Sequence, residues 1–148
     1  MKSKRILIPV VVALAIPLFF VTIALAGRGM GGWEQGSRYN RMYDPKTVET
    51  VRGEVISVDK IVPGKGMSYG LHAVLKTDME EISVHIGPGW YLEKQEFKLA
   101  KGDTIEVKGS RITYKEKPAI IAAEVKKGDA LLKLRDENGV PVWSARRR

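Results

Sequence analysis

The sequence predicts an all-β domain: a five-stranded Greek-key barrel with a short helix between strands three and four and an added C-terminal hairpin. Three observations carry this. Residues 68–90 alternate apolar and polar side chains about a turn, as a β-hairpin does. Residues 48–58 form a long strand-like run whose apolar face switches around an internal glycine, Gly53, which is what a barrel asks of a strand that bends across two halves of a sheet. Two further strand-like runs, 104–114 and 119–125, follow a segment with weak helical spacing.

The N-terminus comes before the fold. Lys2, Lys4 and Arg5 precede an uncharged apolar run over residues 6–23, and Ala24-Leu25-Ala26 has the small-x-small form that a signal peptidase accepts. Residues 1–26 therefore read as a secretory signal peptide, with Gly27 first in a periplasmic or secreted product. The alternative is an N-terminal membrane anchor, because the run approaches the roughly 20 residues that span hydrocarbon. No cysteine follows it, or occurs anywhere in the 148 residues, which excludes a lipid-modified cysteine, disulfides and thiol chemistry. Lys and Arg number 25 against 17 Asp and Glu, a formal charge of +8. Removing the three leader cations leaves 22 against 17, or +5, a modest excess.

Residues 27–46 are glycine-rich and without period, and read as a flexible lead-in. Trp33, Tyr39 and Tyr43 in or beside it are free to dock on the domain or on a partner. The barrel and its hairpin occupy 47–143. Strand one, 48–58, leads through a loop with a turn at Pro63-Gly64. In the hairpin, Leu75 stands opposite Ile82, Ala73 opposite Val84 and Leu71 opposite Ile86, all on the apolar face. The same register sets Lys76 against Glu81, Val74 against Ser83 and His72 against His85 on the other face, and a one-residue slip would mix the two sets. The turn at Asp78-Met79 lacks glycine, which suits a loop wider than two residues. Gly87-Pro88-Gly89 makes the exit corner, and 90–99 the short helix, with Trp90 and Leu92 closing a barrel mouth. Strand four places Ile105 and Val107 inward and bulges at Gly109-Ser110, the chain turns over 115–118, and 119–125 returns as strand five. Residues 131–143 form the added hairpin, turning at Asn138-Gly139, with Pro141 suited to an edge. Residues 144–148 are a basic tail, whose Arg146-Arg147-Arg148 would touch an anionic surface only weakly. The strand order is that of an OB-type barrel.

The segments Val51-Arg52-Gly53-Glu54-Val55 and Ile105-Glu106-Val107-Lys108-Gly109 make residues 47–125 resemble the small secreted bacterial OB-fold proteins. His85 to Trp90, and the terminal LRDENGVPVW at 134–143, are similar to parts of uncharacterised exported proteins sometimes labelled DNA-binding. The resemblance implies the fold, and neither a ligand nor catalytic residues.

Two site chemistries follow from the residues. His72 and His85, directly cross-strand, bring two imidazoles within reach of one Cu, Ni or Zn ion, with Met67 as a soft ligand in a nearby loop; two ligands make a weak site. For nucleic acid, cations and aromatics suited to an OB surface are Arg52, Lys65, Tyr69, Lys76, Arg111, Tyr114, Lys115 and Lys117. Glu54, Glu80, Glu81, Glu106 and Glu116 interrupt them, so no continuous basic stripe forms. No cofactor is expected. The histidine pair lacks a nucleophile and a third orienting group, so no enzyme is expected either. The sequence thus favours an exported, non-enzymatic OB-fold binding or assembly module of the cell envelope, acting on an envelope protein or polymer. A nucleic-acid binder and a weak metal binder through His72 and His85 are the alternatives.

Overall fold

The computed structural model of the chain describes residues 30–145, so the expected signal peptide and Arg146-Arg147-Arg148 lie outside the described residues. Among the described residues no helix is long and apolar enough to cross a membrane. The described residues form six strands: β1 (Val48–Ile61), β2 (Gly70–Lys76), β3 (Glu81–Pro88), β4 (Thr104–Tyr114), β5 (Lys117–Lys127) and β6 (Ala130–Lys133). A short helix α1 (Gly89–Leu92) follows β3, and another, α2 (Val142–Ala145), comes last. The sheet order is β3-β2-β1-β4-β5-β6. β3 also runs parallel to β5 through Ser83↔Ala119, Val84↔Ile120 and His85↔Ile121, which closes the first five strands into a mixed barrel. β6 lies outside that ring, antiparallel to β5. The expected fold class stands, with its short helix after β3.

β1 behaves as its switching pattern requires. It pairs with β4 over Val48 to Glu54 and with β2 over Glu54 to Ile61, handing over at Glu54 beside a bulge between Val55 and Ser57. Gly53 sits at that corner because a Cβ there would lie 2.2 Å from the Lys76 carbonyl oxygen. The β2–β3 hairpin keeps its predicted register from Lys76↔Glu81 to His72↔His85. A bulge between Leu71 and His72 then shifts the pairing, and Leu71 faces Gly87 instead of Ile86. Leu71 is accordingly half-buried, whereas Ala73, Leu75, Ile82, Val84 and Ile86 are buried in the core with Val55, Ile105 and Val107. The glycine-free loop is closed by the Thr77 N–H donating to the Glu80 carbonyl at 2.9 Å. The Thr77 hydroxyl accepts from the Met79 and Glu80 amides, a side-chain substitute for glycine's conformational freedom.

β4 bulges between Lys108 and Gly109 as expected. The β4–β5 turn is tighter than expected: Tyr114 already pairs with Lys117, and Lys115 and Glu116 both take left-handed backbone, φ 50° and 70°. After β6 the added hairpin is reduced to one bridge, Arg135↔Pro141, around a loop in which the Asp136 carboxylate accepts from the Asn138 and Val140 amides.

The lead-in differs most from expectation. Trp33, Tyr39 and Tyr43 are buried, Trp33 being 1% exposed. Gly32 and Gly36 take φ +89° and +91°, so the glycines that suggest flexibility make turns. The segment continues through 3-10 turns at Asn40–Met42 and Pro45–Thr47 before entering β1.

Candidate functional site

Strand alternation sends His72 and Val74 of β2, and Ser83 and His85 of β3, to the outer wall of the barrel. An OB barrel commonly takes its ligand on this wall. Here the chain itself covers it. Trp33 lies on Gly70, where a Cβ would come within 2.5 Å of the indole ring; its Nε1 donates to the Ser68 carbonyl at 3.0 Å. Trp143 of α2 packs beside Gly87 and donates its Nε1 to the Trp33 carbonyl at 2.8 Å. The two indoles meet edge to face at 6.3 Å, and Trp33 meets Tyr39 at 5.2 Å. Asn40 fixes the backbone beneath them, its Nδ2 donating to the carbonyls of Trp33 and Glu34, each at 2.8 Å. N-terminal and C-terminal segments thus form a second, aromatic layer outside the barrel core.

His85 lies under this layer, 1% exposed. Its ring is stacked with Tyr39 at 5.9 Å, edge-on to Tyr114 at 4.8 Å and to His72 at 6.2 Å. Its Nδ1 shares a hydrogen bond with the Tyr39 hydroxyl at 2.9 Å, and its Nε2 has no partner. Burial, with a smaller contribution from the neighbouring His72, pushes its pKa down to about 4. Burial also raises the Tyr39 phenol, so both groups are neutral at pH 7. His72 is half-buried, with Nδ1 at 2.7 Å from the Ser83 hydroxyl. The predicted juxtaposition of the two rings is present; His72 stays half-buried, whereas His85 is sealed beneath the covering segment. Among the described residues no group of three or more His, Cys, Asp or Glu is placed to hold a metal ion.

A second buried polar group escaped the sequence. Arg135 is 1% exposed, its guanidinium held between the rings of Tyr43 at 5.4 Å and Trp143 at 5.5 Å. Its Nη1 donates to the Gly139 carbonyl at 3.1 Å, and burial lowers its pKa against the opposing pull of the Tyr39 and Tyr43 phenols. An arginine followed by Asp136 and Glu137 reads as solvated, and no local pattern distinguishes it.

Of the eight cations and aromatics considered for nucleic acid, several are engaged within the chain. Arg111 binds the carboxylates of Glu49 and Glu80, its Nη2 lying 2.7 Å from Glu80; this raises its own pKa and lowers that of Glu80. Arg52 lies 3.7 Å from Glu106, and Lys76 stands across from Glu81. Tyr69 gives its hydroxyl to Glu93 and its ring face to Lys60. At the β4–β5 turn, Tyr114 donates to the Pro63 carbonyl at 3.2 Å and Lys115 lies 5.4 Å from its ring. Lys65 and Lys117 are exposed. An apolar cavity of about 150 Å³ lies beside α1, lined by Val58, Leu71, Ile86, Leu92, Phe97 and Leu99 among others.

No curated protein matches the chain. A family match covers residues 47–132, from the start of β1 into β6. It contains the whole barrel and both histidines, and it leaves out Trp33, Tyr39, Arg135 and Trp143, the side chains that build the outer layer. With more than half of its 148 residues in that match, the chain belongs to the MamS/MamX magnetosome protein family.

Proposed function

We propose that the chain is an exported, non-enzymatic binding or assembly module of the cell envelope, acting on a protein or polymer partner. The observation that carries this is the filled β2–β3 wall. Trp33, Tyr39 and Trp143 occupy the place where an OB barrel stacks bases, and Arg52 and Arg111 pair with carboxylates. A positive groove lined by free aromatics is what single-stranded nucleic acid requires, so a different class of partner fits better. The non-enzymatic part of the proposal rests on His85, whose ring is sealed from solvent with Nδ1 occupied by Tyr39; a general base must reach its substrate. The leader-like residues 1–26 support export. The family's description as magnetosome proteins supports placing the module with that assembly.

Fractionation of cells producing the tagged full chain, followed by crosslinking in the intact envelope, tests the proposal. The expected result is recovery with the envelope or periplasm and a recurrent crosslinked envelope partner. Recovery in the cytosol with Met1 still present would overturn it.

A further inference from the structure

The geometry points to a two-imidazole site for a monovalent d10 metal ion, copper(I) by chemical class, between His72 and His85. Each ring has one nitrogen committed to a hydroxyl: His72 Nδ1 lies 2.7 Å from Ser83 Oγ and His85 Nδ1 lies 2.9 Å from Tyr39 Oη. With the ring N–H donating to the hydroxyl oxygen in both cases, the lone pair of each ring is left on Nε2. This is the outer-shell arrangement that fixes the tautomer of metal-binding histidines. The His85 Nε2 is buried and has no hydrogen-bond partner, a condition that costs free energy unless something fills it.

Distance then selects the ion. A metal bound to imidazole lies about 2.0 Å from the nitrogen, hence about 3.2 Å from the ring centre, so two rings sharing one ion have centres at most about 6.4 Å apart. The observed 6.2 Å falls just inside that limit; with both Nε2 atoms turned to one ion it corresponds to an open angle of roughly 150° at the metal. Two neutral nitrogen donors at so open an angle suit copper(I), and silver(I) as its redox-inert probe. Structural zinc takes four protein ligands, and among the described residues no third or fourth His, Cys, Asp or Glu completes a set. Calcium and magnesium take oxygen ligands. The site is independent of the envelope reading, since it uses only the barrel wall and Tyr39.

Titration of the full chain with copper(I), kept reduced without oxygen and competed against a chromogenic chelator, tests the site. One equivalent is expected to bind. His72→Gln, at a half-buried position, should lower affinity at least tenfold, and His85→Ala likewise. Tyr39→Phe keeps both ligands and removes an orienting partner, so about a 10- to 100-fold loss is expected. With silver(I), the Nε2 resonances of both histidines should shift together in nitrogen NMR while the Nδ1 resonances move little. Copper(I) binding by folded His72→Gln as tight as that of the unaltered chain would overturn the proposal, as would silver-induced shifts at neither histidine.

Discussion

A histidine enclosed by Tyr39, Tyr114 and His72 stays neutral in the folded chain until the pH falls to about 4, whereas in the unfolded chain it takes up a proton near 6.5. Between those values the unfolded state binds more protons. Stability from this group is therefore full above pH 6.5 and is lost as the pH falls towards 4. The gap corresponds to roughly 3 kcal/mol. Urea midpoints measured at pH 7 and pH 4.5 should differ more in the unaltered chain than in His85→Phe, where nothing titrates at this position. Equal differences in the two proteins would show that His85 is not held neutral. At this scale the sequence was legible for partners and illegible for burial. Strand parity placed His72 beside His85, but depth depends on Trp33 and Tyr39, which lie about 40 to 50 residues earlier and carry no periodic signal. Arg135 was hidden for the same reason, since its solvent is replaced by Tyr43 and Trp143 from opposite ends of the chain.

Strands with one buried face were readable because their side chains alternate: the β2–β3 register from Lys76↔Glu81 to His72↔His85, the corner at Gly53 and the bulge at Gly109 were all encoded locally. The bulge between Leu71 and His72 was not, since no glycine or proline marks it, and it moved Leu71 out of the predicted interior. The lead-in is hard to read from sequence because glycine supports both a flexible tether and a sequence of tight turns. The deciding factor is burial of its aromatics, with Trp33 contributing packing on Gly70 and hydrogen bonds to Ser68 and Trp143. Trp33→Ala should destabilise the fold by about 3 to 5 kcal/mol, and it should uncover His85, moving its pKa from about 4 towards 6.5. Thermal unfolding and a histidine NMR titration measure the two effects. If neither moves, the segment does not form the outer layer.

For the whole molecule, the parallel β3–β5 pairing leaves β6 as an added strand outside a closed barrel. The fold class follows from the order of the elements, which a single sequence carries. The ligand surface depends on which wall of the barrel the termini cover, which it does not. That covering sets the behaviour towards nucleic acid. A formal charge of +8 draws any polyanion at low salt, and this attraction weakens as salt rises because it reflects counterion release alone. Retention at higher salt requires bases stacked on aromatic rings. Trp33, Tyr39 and Trp143 are buried against one another, Tyr69 is tied to Glu93 and Tyr114 to Pro63, so these five rings offer little surface for stacking. The full chain should therefore bind single-stranded DNA or RNA weakly at about 0.15 M salt, with no preference over duplex DNA. Paired changes of Tyr69 and Tyr114 to alanine should alter that affinity by less than about threefold, because a lost base stack would cost about 1 to 3 kcal/mol. Fluorescence anisotropy across a salt series measures both. Submicromolar affinity that survives added salt and collapses in the double variant would mean that bases do reach those two rings, and that the nucleic-acid reading is the right one.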